Sequence, residues 1–191
     1  MIGSPGLSPH AGTGEWSPRD DFDRVFDAHF AEIHRYIARR LDTHAADDLA
    51  AETFLMAFRD RHRFDAARGA VRPWLYGIAT NLLARHRREE VRRWKALSRT
   101  GTRDEESHED AVAARVTAGR VTGRLAGALA GLAKRDRDVV LLLALGGLAH
   151  AEVAEALGIP YGTVASRLNR ARKQLRKALG DVNPLEEAHD G

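Results

Sequence analysis

Between His150 and Leu175 runs a spacing that few folds accommodate: Ala154, three residues, Gly158, five residues, Val164, with Leu157 and Leu168 completing an apolar seam. Each position has a steric task. A small residue at 154 lets two helices cross closely, Gly158 supplies the positive φ of a tight turn, and Val164 and Leu168 anchor the second helix on a core. This pattern specifies a helix-turn-helix. The outward side of its second helix carries Thr163, Ser166, Arg167, Asn169 and Arg170, followed by Arg172 and Lys173. Arginine forks onto guanine, asparagine onto adenine, and the other cations suit phosphates, so the face fits the major groove of DNA. A structural hairpin with a solvated basic face is the competing reading. The glycine turn, the apolar seam and the absence of acids from Tyr161 to Lys177 together favour DNA.

The rest of the chain must fold around that motif, and its composition predicts helices. Aromatic residues are 6% of the 191, charged residues 30%, and Ala, Leu and Arg are prominent, the balance of an all-α protein. Phe22, Phe26, Phe30, Ile33 and Ile37 recur every three or four positions, predicting a first helix that Asp20 or Asp21 can cap. A second helix is expected over about 45 to 59, with Leu49, Thr53 and Ala57 on one side, Phe54 and Phe58 beside them, and an acidic first turn. Gly69 interrupts the pattern, and Pro73 fits the first turn of a third helix. Trp74, Leu75, Ile78, Leu82 and Leu83 carry that helix into a basic end, Arg85 to Lys95. Three further helices read as about 134 to 145, 149 to 157 and 161 to 179. Gly119, Gly123, Gly127 and Gly131 recur at every fourth position of a helical window, each weakening it by up to ~1 kcal/mol.

Charge placement divides the chain. Arg68 to Arg103 holds ten basic residues and two acidic ones, and Tyr161 to Lys177 six basic and none acidic. Two such segments attract polyanions by releasing condensed counterions, or are simply solvated helix faces. Between them Asp104, Glu105, Glu106, Glu109 and Asp110 make an acidic flexible linker, a tether that can also shield the basic segments from DNA. The expected organisation is a disordered leader at 1–20, half of it Gly, Pro or Ser, a helical domain at 21–97, the linker at 98–118, a second helical domain at 119–180 and an acidic tail at 181–191.

Several classes of function are excluded. With no cysteine there is no disulfide and no Cys-ligated zinc. No apolar run approaches the ~20 residues of a membrane span, and the opening stretch lacks a signal-peptide pattern, so a cytoplasmic location without membrane insertion is expected. There is no phosphate loop, HExxH, GxSxG or cysteine nucleophile, and the nine histidines lack ligand spacing. An enzyme, a metal site and a cofactor are therefore not expected.

Two stretches carry a resemblance. GLAHAEVAEALGIPYGTVASRLNRARKQLRKAL resembles region 4 of extracytoplasmic-function sigma factors, and DDLAAETFLMAFRDRHRFDAARGAVRPWLYGIATNLLARHRR resembles region 2 of the same family. Together they cover roughly 22 to 96 and 122 to 179, in the family's order and spacing. The resemblance implies a chain that binds core RNA polymerase, reads the −35 promoter element with region 4, and opens and reads the −10 element with region 2. Asp47, Asp48 and Glu52 resemble the part of region 2 that docks on the polymerase clamp, with helix capping as the alternative role. Asn81 matches a position near the pocket for an unstacked base, and the Phe64 to Arg72 loop resembles its rim. Trp74 could stack on a base, although its i, i+4 relation to Ile78 favours the core. Arg85, Arg87, Arg88, Arg92 and Arg93 suit phosphates. An anti-sigma partner is a further expectation of the family. Two departures stand out: Ala165 replaces the usual Lys or Arg of the recognition helix, and Ala149 replaces the usual Ser or Thr cap, a loss of ~1 kcal/mol. The rival function is a conventional helix-turn-helix regulator that binds duplex DNA without core polymerase.

Overall fold

The computed structural model describes residues 21–67, 69–99 and 119–180. The expected leader, the tail, and the linker from residue 100 to 118 lie outside the described residues, as do Arg68 and the side chain of Arg93. Seven α-helices are described: α1 (Phe22–Ala38), α2 (Thr43–Asp60), α3 (Val71–Arg99), α4 (Gly119–Gly131), α5 (Lys134–Ala144), α6 (His150–Leu157) and α7 (Tyr161–Leu179), with a 3₁₀ turn at Arg61–Arg63. No strand occurs among the described residues. The all-α expectation is met, and the last three helices fall within a residue of where periodicity put them.

Helix starts are where local chemistry changed the expected boundaries. Asp21 stands at the cap of α1 but makes no capping bond; its carboxylate pairs with Arg24 at 2.7 Å. In α2 the start moves back to Thr43, because the Asp42 carboxylate accepts the Ala45 N–H at 2.9 Å. Asp47 and Asp48 therefore lie in the second turn, not in an acidic first turn. At α6 the lost side-chain cap at Ala149 is partly replaced: Glu152 reaches back to accept the Ala149 N–H at 2.7 Å, half of a capping box. The helix closes at Gly158, whose φ of 60° is the left-handed turn the motif requires.

α1, α2 and α3 pack on one another, and α4, α5 and α6 each pack on α7. The first group is closed by apolar rows at helical spacing. Ile33, Ile37, Leu49, Ala50, Phe54, Leu75, Ala79 and Leu82 are buried, while Phe22, Phe26 and Phe30 meet Phe54 with ring centroids 5.0–6.5 Å apart. The second group is held by Val139, Leu142, Leu148, Val153, Val164 and Leu168, and a single apolar cluster runs through both groups. What joins them is α3 lying along α6. Gly77 makes that approach possible, since a Cβ there would stand 2.5 Å from the Ala156 carbonyl oxygen.

Candidate nucleic-acid and polymerase interface

The turn at Gly158 and the burial of Val164, Leu168 and Ala171 fix which side of α7 meets the core. Ser166, Asn169, Arg172 and Lys173 are then exposed, and Thr163 and Arg167 are half-buried. This is the row expected to meet DNA. Arg170 donates from Nε and Nη2 to the two carboxylate oxygens of Asp136 at 3.2 and 3.1 Å. Asp136 is buried while the Arg170 side chain is 61% exposed, so the guanidinium expected to read guanine also ties α7 to α5 in the chain without DNA. The bonds to Asp136 hold Arg170 more firmly protonated than usual. The Ser166 hydroxyl also turns inward, donating to the Thr163 carbonyl at 3.0 Å.

On α3 the expected single-strand track is exposed from Asn81 through Arg85, Arg87, Arg88 and Arg92. Arg85 is engaged by Glu52 at 3.3 Å and Glu89 at 3.2 Å, which leaves the other three as the less encumbered cations. Trp74 is half-buried against the core, its ring 5.1 Å from that of Phe64. These contacts fit the packing role of the two that were expected.

On α2, Asp47 pairs with His34 at 2.7 Å and Asp48 with His44 at 3.2 Å. Both carboxylates remain exposed. Asp48, Glu52 and Leu55 follow at i, i+4 and i+7, one side of a helix. Leu55 is 49% exposed, with Phe58 at 44% and Phe26 at 39% close by in sequence order on α2 and α1. Sequence reasoning used the two phenylalanines only as part of the helical apolar pattern and did not select Leu55. Exposed apolar side chains beside acids on one side of a helix suit a protein-binding surface.

The contact that sequence reasoning missed altogether centres on Arg72. Its Nε donates to Glu32 at 3.0 Å, Nη1 to Glu152 at 2.8 Å and Nη2 to the Gly146 carbonyl at 2.9 Å, with the guanidinium 5.3 Å above the Tyr76 ring. Burial works against its charge, but the hydrogen bonds to Glu32 and Glu152 outweigh it and raise its pKa. Next to it the Ala70 N–H donates to Glu155 at 3.2 Å. Two carboxylates of α6 thus hold the loop expected to rim the base pocket. Arg39 adds a bond to the Leu145 carbonyl at 3.3 Å. No local signal marks such partners, which lie 40 to 106 positions apart in the chain.

Among the described residues no group of three or more His, Asp or Glu could hold a metal ion, and no helix is long and apolar enough to cross a membrane.

Comparison with known proteins bears directly on these surfaces. Residues 25–94 match the family model for sigma-70 region 2, and residues 122–175 match that for sigma-70 region 4. The chain is 36% identical over 164 residues to the probable RNA polymerase sigma-C factor of Mycobacterium bovis, covering 80% of this chain and 78% of that protein. It is 30% identical over 172 residues to the ECF RNA polymerase sigma factor SigW of Bacillus subtilis, covering 86% and 91%. In fold it is similar to the sigma factor RpoE solved with the anti-sigma factor NepR from Bartonella quintana, with a TM-score of 0.59, 21% identity, and coverage of 85% and 98%. It is also similar to CnrH solved with the cytosolic domain of CnrY, with a TM-score of 0.58, 24% identity, and coverage of 86% and 90%. Both halves of the chain, the helix-turn-helix and the α1–α3 group that carries the exposed basic track, are accounted for together by one assignment: the chain belongs to the extracytoplasmic-function family of RNA polymerase sigma factors, promoter-specific initiation factors that act with RNA polymerase.

Proposed function

We propose that Thr163, Ser166, Arg167, Asn169, Arg172 and Lys173 read the −35 element and its phosphates, and that Asn81 with Arg87, Arg88 and Arg92 receives the opened −10 strand. The observation that carries this reading is that both rows are exposed on helices whose opposite sides are locked into one core. Rigid backing is what a base-reading face needs, because each misplaced contact forfeits ~1–3 kcal/mol of discrimination. Asp48, Glu52 and Leu55 form the docking face for core polymerase, and Asp47 sits at its edge. The acids supply complementarity to a basic partner and the leucine the desolvated centre.

The α6 carboxylates explain why such a chain would depend on core polymerase. Glu152 and Glu155 occupy the Arg72 guanidinium and the Ala70 N–H, groups suited to phosphates, so the closed chain holds its own loop until the two helical groups separate. The structures of similar sigma factors with anti-sigma proteins support a regulatory partner here as well, and the working location is the cytoplasm.

The test is co-purification with core polymerase, followed by transcription from a library of random promoters. Protein-dependent initiation with enriched −35 and −10 elements is expected. Tight duplex binding without core, and no initiation, would instead favour a conventional regulator. Within that assay Asn81→Ala should impair opening more than duplex binding, read as lower permanganate reactivity of −10 thymines. Unchanged reactivity would remove Asn81 from the pocket.

A further inference from the structure

A cleft of about 650 Å³ opens between the two helical groups. Its walls come from four places in the chain: Arg40 after α1, the outer half of α3, the end of α4, and the first turn of α5. Six cations line it, namely Arg40, Arg87, Arg88, Arg92, Lys134 and Arg137, against one carboxylate, Asp138. That carboxylate is already committed, since Lys134 donates to it at 2.8 Å.

The excess of positive charge is costly in place. Burial lowers the pKa of Arg137, and the neighbouring charges of Arg87 and Arg40 lower it further, with Asp138 opposing them only in part. At the start of α5 Lys134 lines the cleft, Ala133 at the cap offers no side-chain acceptor to the first backbone N–H groups, and the first-turn carboxylate, Asp136, is paired with Arg170. Uncapped N–H groups and the positive end of the helix dipole both favour an anion. Apolar side chains complete the lining: Leu83, Ala84, Val91, Ala130 and Leu132.

From this convergence we infer that the cleft is a binding site for a small organic polyanion: a body that packs on the apolar part of the lining and a chain of phosphates held by Arg87, Arg88 and Arg137. A nucleoside triphosphate has that chemistry. The volume lies in the range of small-ligand sites, roughly 300–1,000 Å³, which combine an apolar lining with a few convergent polar groups. Guanidinium groups suit both parts of such a ligand, forking onto phosphate oxygens and stacking on a planar base. Because the walls belong to both helical groups, a ligand bound there holds α3 against α5 and stabilises the closed arrangement.

Calorimetric titration of the full-length chain with metal-free ATP tests the site. Binding should weaken at least tenfold in Arg88→Gln and in Arg137→Gln, and should be unchanged in the Arg176→Gln/Lys177→Gln double variant, which removes exposed cations of α7 elsewhere. Arg88 is exposed and its removal leaves the core intact, so it reports even if Arg137→Gln, which also gives up a bond to the Ala130 carbonyl, folds poorly. Inorganic triphosphate should bind more weakly than ATP. Absence of binding, equal losses in the α7 variant, or equal affinity for inorganic triphosphate would overturn the proposal. The site shares Arg87, Arg88 and Arg92 with the proposed −10 track, so Arg137 separates the two: a short single-stranded oligonucleotide should lose affinity in Arg88→Gln but not in Arg137→Gln, and equal losses in both variants would overturn the proposal by assigning the whole cleft to a DNA backbone.

Discussion

At the scale of single residues, Arg170 shows how one side chain can be reassigned by its surroundings. Its spacing on α7 is that of a base-reading arginine, yet Asp136 lies buried beneath it and takes both arms of its fork. Removing one partner of such a pair strands the other. Arg170→Ala should therefore lower the melting temperature, and adding Asp136→Asn should recover most of the loss, a non-additivity that thermal melts of the two single variants and the double variant will show. Additive losses would free Arg170 from Asp136 and return it to the DNA face. Tyr76 offers a second test. Burial first, and then the Glu32 carboxylate, push its phenol up to about 12, with Arg72 opposing. The folded chain thus holds this proton more tightly than the unfolded chain, whose phenol loses it near 10. The stability tied to Tyr76 is fully present below about pH 10 and is lost as pH rises toward 12. An absorbance titration of wild type against Tyr76→Phe should show the missing phenol titrating in that upper range; a difference centred at the ordinary value would refute the shift.

At the scale of elements, most helices were legible because their signals are local. Rows of apolar residues, Pro73 in a first turn and Gly158 at a C-terminus are all read within a few positions of chain. The glycine run on α4 was expected only to weaken the helix, and a Cβ at Gly123, Gly127 or Gly131 would meet nothing within 4 Å. At Gly127, then, the glycine is a cost without a contact. Gly127→Ala should stabilise the fold by ~0.5–1 kcal/mol, measured by denaturant unfolding, and a loss of stability would show that the face is covered. Gly77 is the opposite case. It reads like any helical glycine in the WLYGIATN stretch, and only the Ala156 carbonyl above it reveals why a side chain is excluded.

At the scale of the molecule, the two helical groups are joined by contacts that carry charge as well as apolar area. Arg72 alone bonds to α1, to α6 and to the Gly146 carbonyl. Its removal leaves Glu32 with His29 and Glu152 with the Ala149 N–H but both without the guanidinium they share, a penalty of about 1–3 kcal/mol. Arg72→Ala should enlarge the radius of gyration in X-ray scattering and reduce the dependence of promoter binding on core polymerase. An unchanged scattering profile would mean that the α3–α6 apolar contact suffices to keep the chain closed.

What the amino-acid order determined alone is the helical character, the helix-turn-helix and the two basic rows, because each follows from periodicities and turn residues a few positions apart. Tertiary structure decided which members of those rows have partners within the fold. Arg170 is claimed by Asp136, Arg85 by Glu52 and Glu89, and Trp74 by the core. It also decided that the loop before α3 is held by Glu152 and Glu155, and that six cations share one cleft. The physical reason is range: helix periodicity is a property of neighbours in sequence, whereas the partner that neutralises or crowds a charge is chosen by packing between segments far apart in the chain.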